Sequence, residues 1–140
     1  MIRPAVPGDA PGIFPLLCQL EGIPLPSDDF ARCFSRCLSS PSYHCFVEED
    51  GGSILGFISL RIEEQLHHLS SVAEVMEMIV GEPERGKSIG QRLFDYAKAY
   101  ASEQGCSQLE VSSNRLRESA HRFYRRQGLE ETHCKFTMKL

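Results

Sequence analysis

Arg85-Gly86-Lys87-Ser88-Ile89-Gly90 joins an apolar run, Val75 to Val80, to a segment in which Ile89, Leu93, Phe94, Ala97 and Ala101 recur at helical spacing. The arrangement reads as a strand feeding a helix through a basic, glycine-bearing turn. The first turn of a helix leaves backbone N–H groups without intrahelical acceptors, and its dipole is positive there. Arg85 and Lys87 add charge of the same sign, and Gly86 and Gly90 let the backbone come close to a bulky anion. A cradle for a pyrophosphate is expected, although an ordinary strand-to-helix connection would also carry a glycine here.

Downstream, the helix stops at Gly105, and a short strand over Leu109 to Ser112 leads to Asn114. Ala120, Phe123 and Tyr124 then define a second short helix capped at Gly128. Upstream, Ile2 to Ala5 reads as a first strand, Asp9 as the cap of a helix through Leu20, and Asp28 to Leu38 as a second helix. Strands over Tyr43 to Val47 and Ile54 to Ile62 are joined by Glu49-Asp50-Gly51-Gly52, a strong hairpin signal. The central strand runs from Glu74 to Val80, and a terminal strand is expected near Lys135 to Leu140. No repeat, low-complexity tract or linker interrupts the chain.

With 140 residues, 41% of them hydrophobic, one domain over 1–140 can close its core without metal or disulfide staples. The formal net charge of −4 argues against general nucleic-acid binding. Arg115, Arg117, Arg122, Arg125 and Arg126 nonetheless make a local basic cluster, either a solvated helix face or an attraction for phosphates. Cys18, Cys33, Cys37, Cys45, Cys106 and Cys134 show no paired C-x-x-C spacing and follow no signal peptide, so reduced thiols and a cytoplasmic location are expected. Nothing approaches the ~20 apolar residues needed to cross a bilayer.

The pattern Arg85 to Gly90, with Asn114, Ala120-x-x-Phe-Tyr and Gly128-Leu129, resembles the GCN5-related N-acetyltransferases. Their usual form is Arg/Gln-x-x-Gly-x-Gly or Ala; here Ser88 replaces the first glycine, so the turn must accept a Cβ. A closer resemblance, over nearly the whole chain, is to the bacterial aminoalkylphosphonate N-acetyltransferases. It rests on Arg3-Pro4-Ala5, His67-His68, Ala73-Glu74, Glu77, Ser113-Asn114, Ala120 to Tyr124, His133 and Phe136-Thr137. The resemblance implies an α+β fold with a mixed, mostly antiparallel sheet flanked by helices. It also implies acetyl-CoA as cosubstrate, bound by Arg85, Gly86, Lys87, Ser88, Ile89 and Gly90. The main chain of Met78, Ile79 and Val80 would contact the pantetheine arm and thioester, with Asn114 hydrogen-bonded to that arm. Dimers are common in the family.

Amide formation from a thioester needs a neutral amine, a polarised carbonyl and a proton for the leaving thiolate. An alkyl amine, with a pKa of about 10.4, arrives protonated, so a base is required. Glu77, a carboxylate inside an otherwise apolar strand, is the first candidate and Glu74 the second, with a histidine or ordered water also open. Tyr124, placed near the sulfur by the resemblance, can donate the proton. His67 and His68 read as a phosphonate contact, a proton relay or a polar loop, and Arg61 as a bidentate partner for an anionic head group. Two adjacent histidines supply too few ligands on one face for a metal, and none is expected. Acetylation of another small amine or a protein N-terminus, a catalytically silent acyl-CoA-binding regulator and an interaction domain are the competing readings.

Overall fold

Asp50 pairs with Ser53 across Gly51-Gly52, and the ladder runs outward to Tyr43 opposite Arg61. The hairpin signal thus sets the register of the middle of the sheet. A computed structural model describes residues 1–140. Its elements are β1 (Ile2–Pro4), α1 (Ala10–Glu21), α2 (Ser27–Ser39), β2 (Tyr43–Asp50), β3 (Ser53–Gln65), β4 (Ser70–Val80), α3 (Ile89–Glu103), β5 (Gln108–Val111) and α4 (Glu118–Arg126). Strand order is β1-β2-β3-β4-β5. The first four strands are antiparallel, while β5 lies parallel to β4 because α3 carries the chain back across the sheet. This is the expected mixed, mostly antiparallel α+β architecture.

Side-chain alternation gives the sheet two apolar faces. Ile58, Leu60, Ala73 and Val75 pack against Ile89, Leu93, Ala97 and Ala101 of α3. Val47, Phe57 and Ile79 on the other face meet Ile13 and Leu16 of α1 and Phe34 of α2. Helix α3 sits low over β3 because Gly56 has no side chain: a Cβ there would lie 2.9 Å from Leu93 Cδ1 and 3.2 Å from the Ile79 carbonyl oxygen.

Two expectations are corrected. Asp9 does not cap α1 through its side chain; its Oδ2 accepts the Val6 N–H at 2.8 Å, and both oxygens accept from the Arg3 guanidinium. The carboxylate therefore serves the single turn Pro7–Asp9 that precedes the helix. No terminal strand forms over Lys135 to Leu140. Alternation alone cannot hold a strand without a ladder partner, and Glu130 to Leu140 are all exposed and unpaired.

Candidate active site

The ladder between β3 and β4 breaks at one point. Ser59 pairs with Glu77 and Leu60 with Val75, leaving Met76 as an unpaired bulge. On its other side β4 is paired with β5 only from Val72 to Val75. From Met76 to Val80 that edge has no strand beside it, and the sheet opens into a cleft. Gly81 donates its N–H to the Leu55 carbonyl of β3, so by alternation Met78 and Val80 turn their backbone groups toward the opening. Gln19 of α1 braces the end of β4: its Nε2 donates to the Val80 carbonyl at 3.1 Å, and its Oε1 accepts the Glu82 N–H at 3.2 Å.

Glu77 stands beside the bulge on the α1/α2 face. The Ser59 hydroxyl donates to its Oε2, and the Glu77 N–H donates back to Ser59 Oγ at 3.2 Å. Ser59 itself is only 1% exposed. Burial pushes the Glu77 carboxyl above the usual carboxylate range; the Ser59 bond pulls the other way, and the nearby Glu21 charge adds to the rise. Sequence reading missed Ser59, whose signal was a lone hydroxyl in the apolar run Ile54 to Leu60; that it faces Glu77 shows only in the register. Around this pair lie Cys37, Cys45 and Tyr43, each with its proton held more firmly because of burial and, secondarily, neighbouring charge. Cys45 is pushed up to about 12, so it is an uncharged filler and not a nucleophile.

At the mouth of the cleft the turn before α3 presents a run of bare donors. Arg85 donates its N–H to Glu82 and Arg92 donates its N–H to Ser88, but the N–H groups of Gly86, Lys87, Ser88, Ile89, Gly90 and Gln91 meet no acceptor in the chain. Ser88 adopts φ 61°, the left-handed conformation that glycine favours. The Cβ anticipated from the sequence is thus accommodated, at a conformational cost. Arg92 holds the turn by donating to the Lys87 carbonyl at 3.2 Å and to Glu48 at 2.7 Å. Ile89 is buried, whereas Arg85, Gly86, Lys87 and Ser88 face solvent. Such a run of free N–H donors at a helix start fits the diphosphate of CoA.

Tyr124 lies on α4, packed between that helix and α3. Its ring lies 6.5 Å from that of the fully buried Phe94. Gln91 and Gln127 exchange amide hydrogen bonds at 2.7 and 2.6 Å, fastening α3 to the end of α4. Burial raises the Tyr124 phenol, with Arg117 opposing in part, so the hydroxyl keeps its proton at neutral pH. Asn114 uses Oδ1 locally, accepting the Leu116 N–H at 2.9 Å, and leaves its amide N–H2 free.

The acceptor-side residues divide. Arg61 and Glu74 lie two rungs from the Glu77–Ser59 pair, on the same face of the sheet, in a transverse row Tyr43, Arg61, Glu74, Glu110. Arg61 is already engaged, by Glu63 at 3.0 Å and Glu74 at 3.4 Å. His67 and His68, their rings 4.2 Å apart, sit at the exposed tip of the β3–β4 hairpin. Gln65, just before them, is six residues along β3 from Ser59, roughly 20 Å at about 3.3 Å per residue. The fold does not bring the histidines to Glu77.

A sheet split beside a bulge, with a donor-lined turn at its mouth, is matched by the family model for acetyltransferases (GNAT), which covers residues 11–129. The chain belongs to this family. It is an N-acetyltransferase with acetyl-CoA as the acetyl donor. An aminoalkylphosphonate N-acetyltransferase of Salmonella typhimurium is 34% identical over 139 residues, 99% of this chain and 90% of that protein. Among solved structures, a transcriptional regulator from Bacillus halodurans C-125 superposes with a TM-score of 0.91 at 24% identity, covering 100% of this chain and 99% of its own. A putative acetyltransferase from Agrobacterium tumefaciens gives 0.89 at 23%, with the same coverage. At those identities the two structures speak for the fold alone. No helix of the chain is long and apolar enough to cross a membrane.

Proposed function

We propose that the acceptor is the primary amine of a small aminoalkylphosphonate, that Glu77 is the base and that Tyr124 is the acid. The Salmonella relative, similar over 99% of this chain, supports the acceptor class. One observation carries the chemistry: a carboxyl with a raised pKa, hydrogen-bonded to a buried serine, stands at the bulge where β4 loses its neighbour. Glu77 takes a proton from the ammonium, directly or through water, and so frees the lone pair that attacks the thioester carbonyl. The backbone N–H groups on the open edge at Met78 and Val80 polarise that carbonyl and stabilise the oxyanion. Tyr124 donates its proton to the departing thiolate, and the turn from Arg85 to Gly90 anchors the diphosphate. Asn114 has its amide N–H2 available for the pantetheine arm. The six free thiols support a cytoplasmic location.

Arg61 has donors left for a phosphonate after its two carboxylate contacts, since a guanidinium carries five N–H groups. The same contacts favour a second reading. With Glu63, Glu74 and Glu110 around a single arginine, the acceptor side is acidic and suits a cationic amine without an anionic group. His67 and His68 would then meet only a long acceptor. Release of the free CoA thiol from acetyl-CoA, followed with aminoalkylphosphonates and with uncharged amines of equal length, separates the two. The first reading expects Arg61→Ala to raise KM for the phosphonate roughly ten- to a hundredfold and to leave the neutral amine nearly unchanged. No turnover of any aminoalkylphosphonate by the parent protein would discard this acceptor class and leave the acetyltransferase assignment standing.

A further inference from the structure

The open edge of β4 is bounded at both ends. At one end β5 pairs with it in parallel as far as Val75 opposite Val111. At the other, Gln19 of α1 stands in for a strand: its Nε2 donates to the Val80 carbonyl at 3.1 Å and its Oε1 accepts the Glu82 N–H at 3.2 Å. A donor to residue 80 and an acceptor from residue 82 are what a parallel neighbour opposite Gly81 would supply. The side-chain amide thus resumes at Gly81 the ladder that β5 leaves at Val75. Helix α1 is seated for this. Ile13 and Leu16 are buried against the sheet, and Gln19 follows Leu16 at the i,i+3 spacing that shares a helix face. A Cβ on Gly81 would lie 3.5 Å from Leu16 Cδ2, so that face stands beside the end of β4.

We propose that Gln19 is a positioning residue for the donor thioester, which makes the Val80 N–H the last free donor of the edge and satisfies the carbonyl beside it. Between the two bounds, Met78 offers both backbone groups to the opening and Val80 offers its N–H alone. In extended backbone the N–H and C=O of one residue point the same way. A bare Val80 carbonyl would therefore set its negative end beside the oxygen that the N–H is to hold, and an oxyanion forming there would be repelled. The Gln19 amide N–H2 occupies that carbonyl. With the Glu82 N–H bonded as well, the peptide units on either side of Gly81 are held in one orientation before acetyl-CoA arrives. The Met78 carbonyl stays open for an amide N–H of the pantetheine arm. Gln19 acts through Val80 and not by contact with a reacting atom, and its role rests on the reading of the Met78 to Val80 edge as the site that polarises the thioester.

Two variants of the full chain separate positioning from packing. Gln19→Met keeps a straight side chain and loses both bonds. Gln19→Glu keeps the shape and can still accept the Glu82 N–H, but turns a negative charge toward the Val80 carbonyl. Oxyanion charge develops only during reaction, so kcat should fall about tenfold in Gln19→Met, less than the roughly hundred- to thousandfold of a deleted oxyanion donor, and about a hundredfold in Gln19→Glu. Calorimetric affinity for CoA should stay within about twofold of the parent's in both. Infrared difference spectra of acetyl-CoA, isotope-labelled at the thioester carbonyl and bound without an amine, read the donors themselves. The carbonyl stretch should move to lower frequency on the parent and return part of the way toward its free position on Gln19→Met. An unaltered kcat, or a loss of CoA affinity as large as the loss of kcat, overturns the positioning role. A stretch that moves on the parent and is the same on Gln19→Met overturns Gln19 alone; one that does not move even on the parent refutes the polarising edge, and the role of Gln19 with it.

Discussion

Gly90→Asp separates the fold from the anion site, because the two respond to it with opposite sign. Gly90 is the second residue of α3, and a Cβ there would lie 3.5 Å from Met78 Cε and 3.7 Å from Val80 Cγ2. Those are ordinary contacts, so the chain accepts the new side chain in place. A carboxylate in the first turn of a helix stabilises it by about 0.3–1 kcal/mol. The same carboxylate opposes a bound diphosphate: two unit charges ~4 Å apart repel by ~4 kcal/mol at an effective dielectric of about 20. If screening halves that, ~2 kcal/mol remains, or a roughly thirtyfold loss of affinity at about 1.4 kcal/mol per decade. The expected result is a Tm equal to or above the parent's with CoA binding weakened by that factor or more. A thermal scan and a calorimetric titration with CoA measure both. A folded variant that binds CoA as the parent does would refute the assignment of the turn from Arg85 to Gly90.

Tyr124→Phe should lower kcat about a hundredfold, the low end for loss of a general acid, and leave acetyl-CoA affinity unchanged. Glu77 has a folded pKa above its unfolded one, so its penalty grows as pH rises through that interval and is complete above the folded value. Glu77→Gln should therefore melt higher than the parent at mildly alkaline pH, lose that advantage below about pH 4, and be nearly inactive throughout. Ser59→Ala removes the bond that favours the ionised carboxyl, and the acidic limb of the kcat/KM profile should move to higher pH; an unmoved limb would assign the base elsewhere. Ser88→Gly relieves a left-handed residue worth ~1 kcal/mol and should raise Tm by about 3 °C with activity retained.

The half of the molecule built around α3 was legible in sequence because its signals are local. A positively charged turn, a helix spaced from Ile89 to Ala101 and a glycine stop at Gly105 each need only their neighbours to be read, and α3 spans Ile89–Glu103 as they imply. The half around Glu77 depends on pairing between distant residues. Nothing local tells that Ser59 and Glu77 face each other or that Met76 bulges; only the register of two strands does. The same ladder carries β4 back to Ser70, well before the apolar run begins at Val75, because backbone pairing with β3 continues where side chains are polar. It also removes His67 and His68 from the centre, since every added rung pushes the hairpin tip further out. The tail shows the converse: its alternation was visible, but a strand is a relation between two segments and its own chain supplies no second one.

On the proposed reading of the turn before α3 as the diphosphate site, Gly56 sets how deep the cofactor lies without touching it. The first turn of α3 is carried by a helix lowered onto β3 until Leu93 nearly meets that glycine's α-carbon, so the level of the donor row above the cleft is fixed from beneath. Any side chain at 56 would wedge α3 upward and tilt its leading end away from β4. Such a variant would present, in a screen for lost activity, as a defect of nucleotide binding mapped to the middle of a buried strand. A functional scan of this enzyme that sorts positions by their distance from ligand would misfile it.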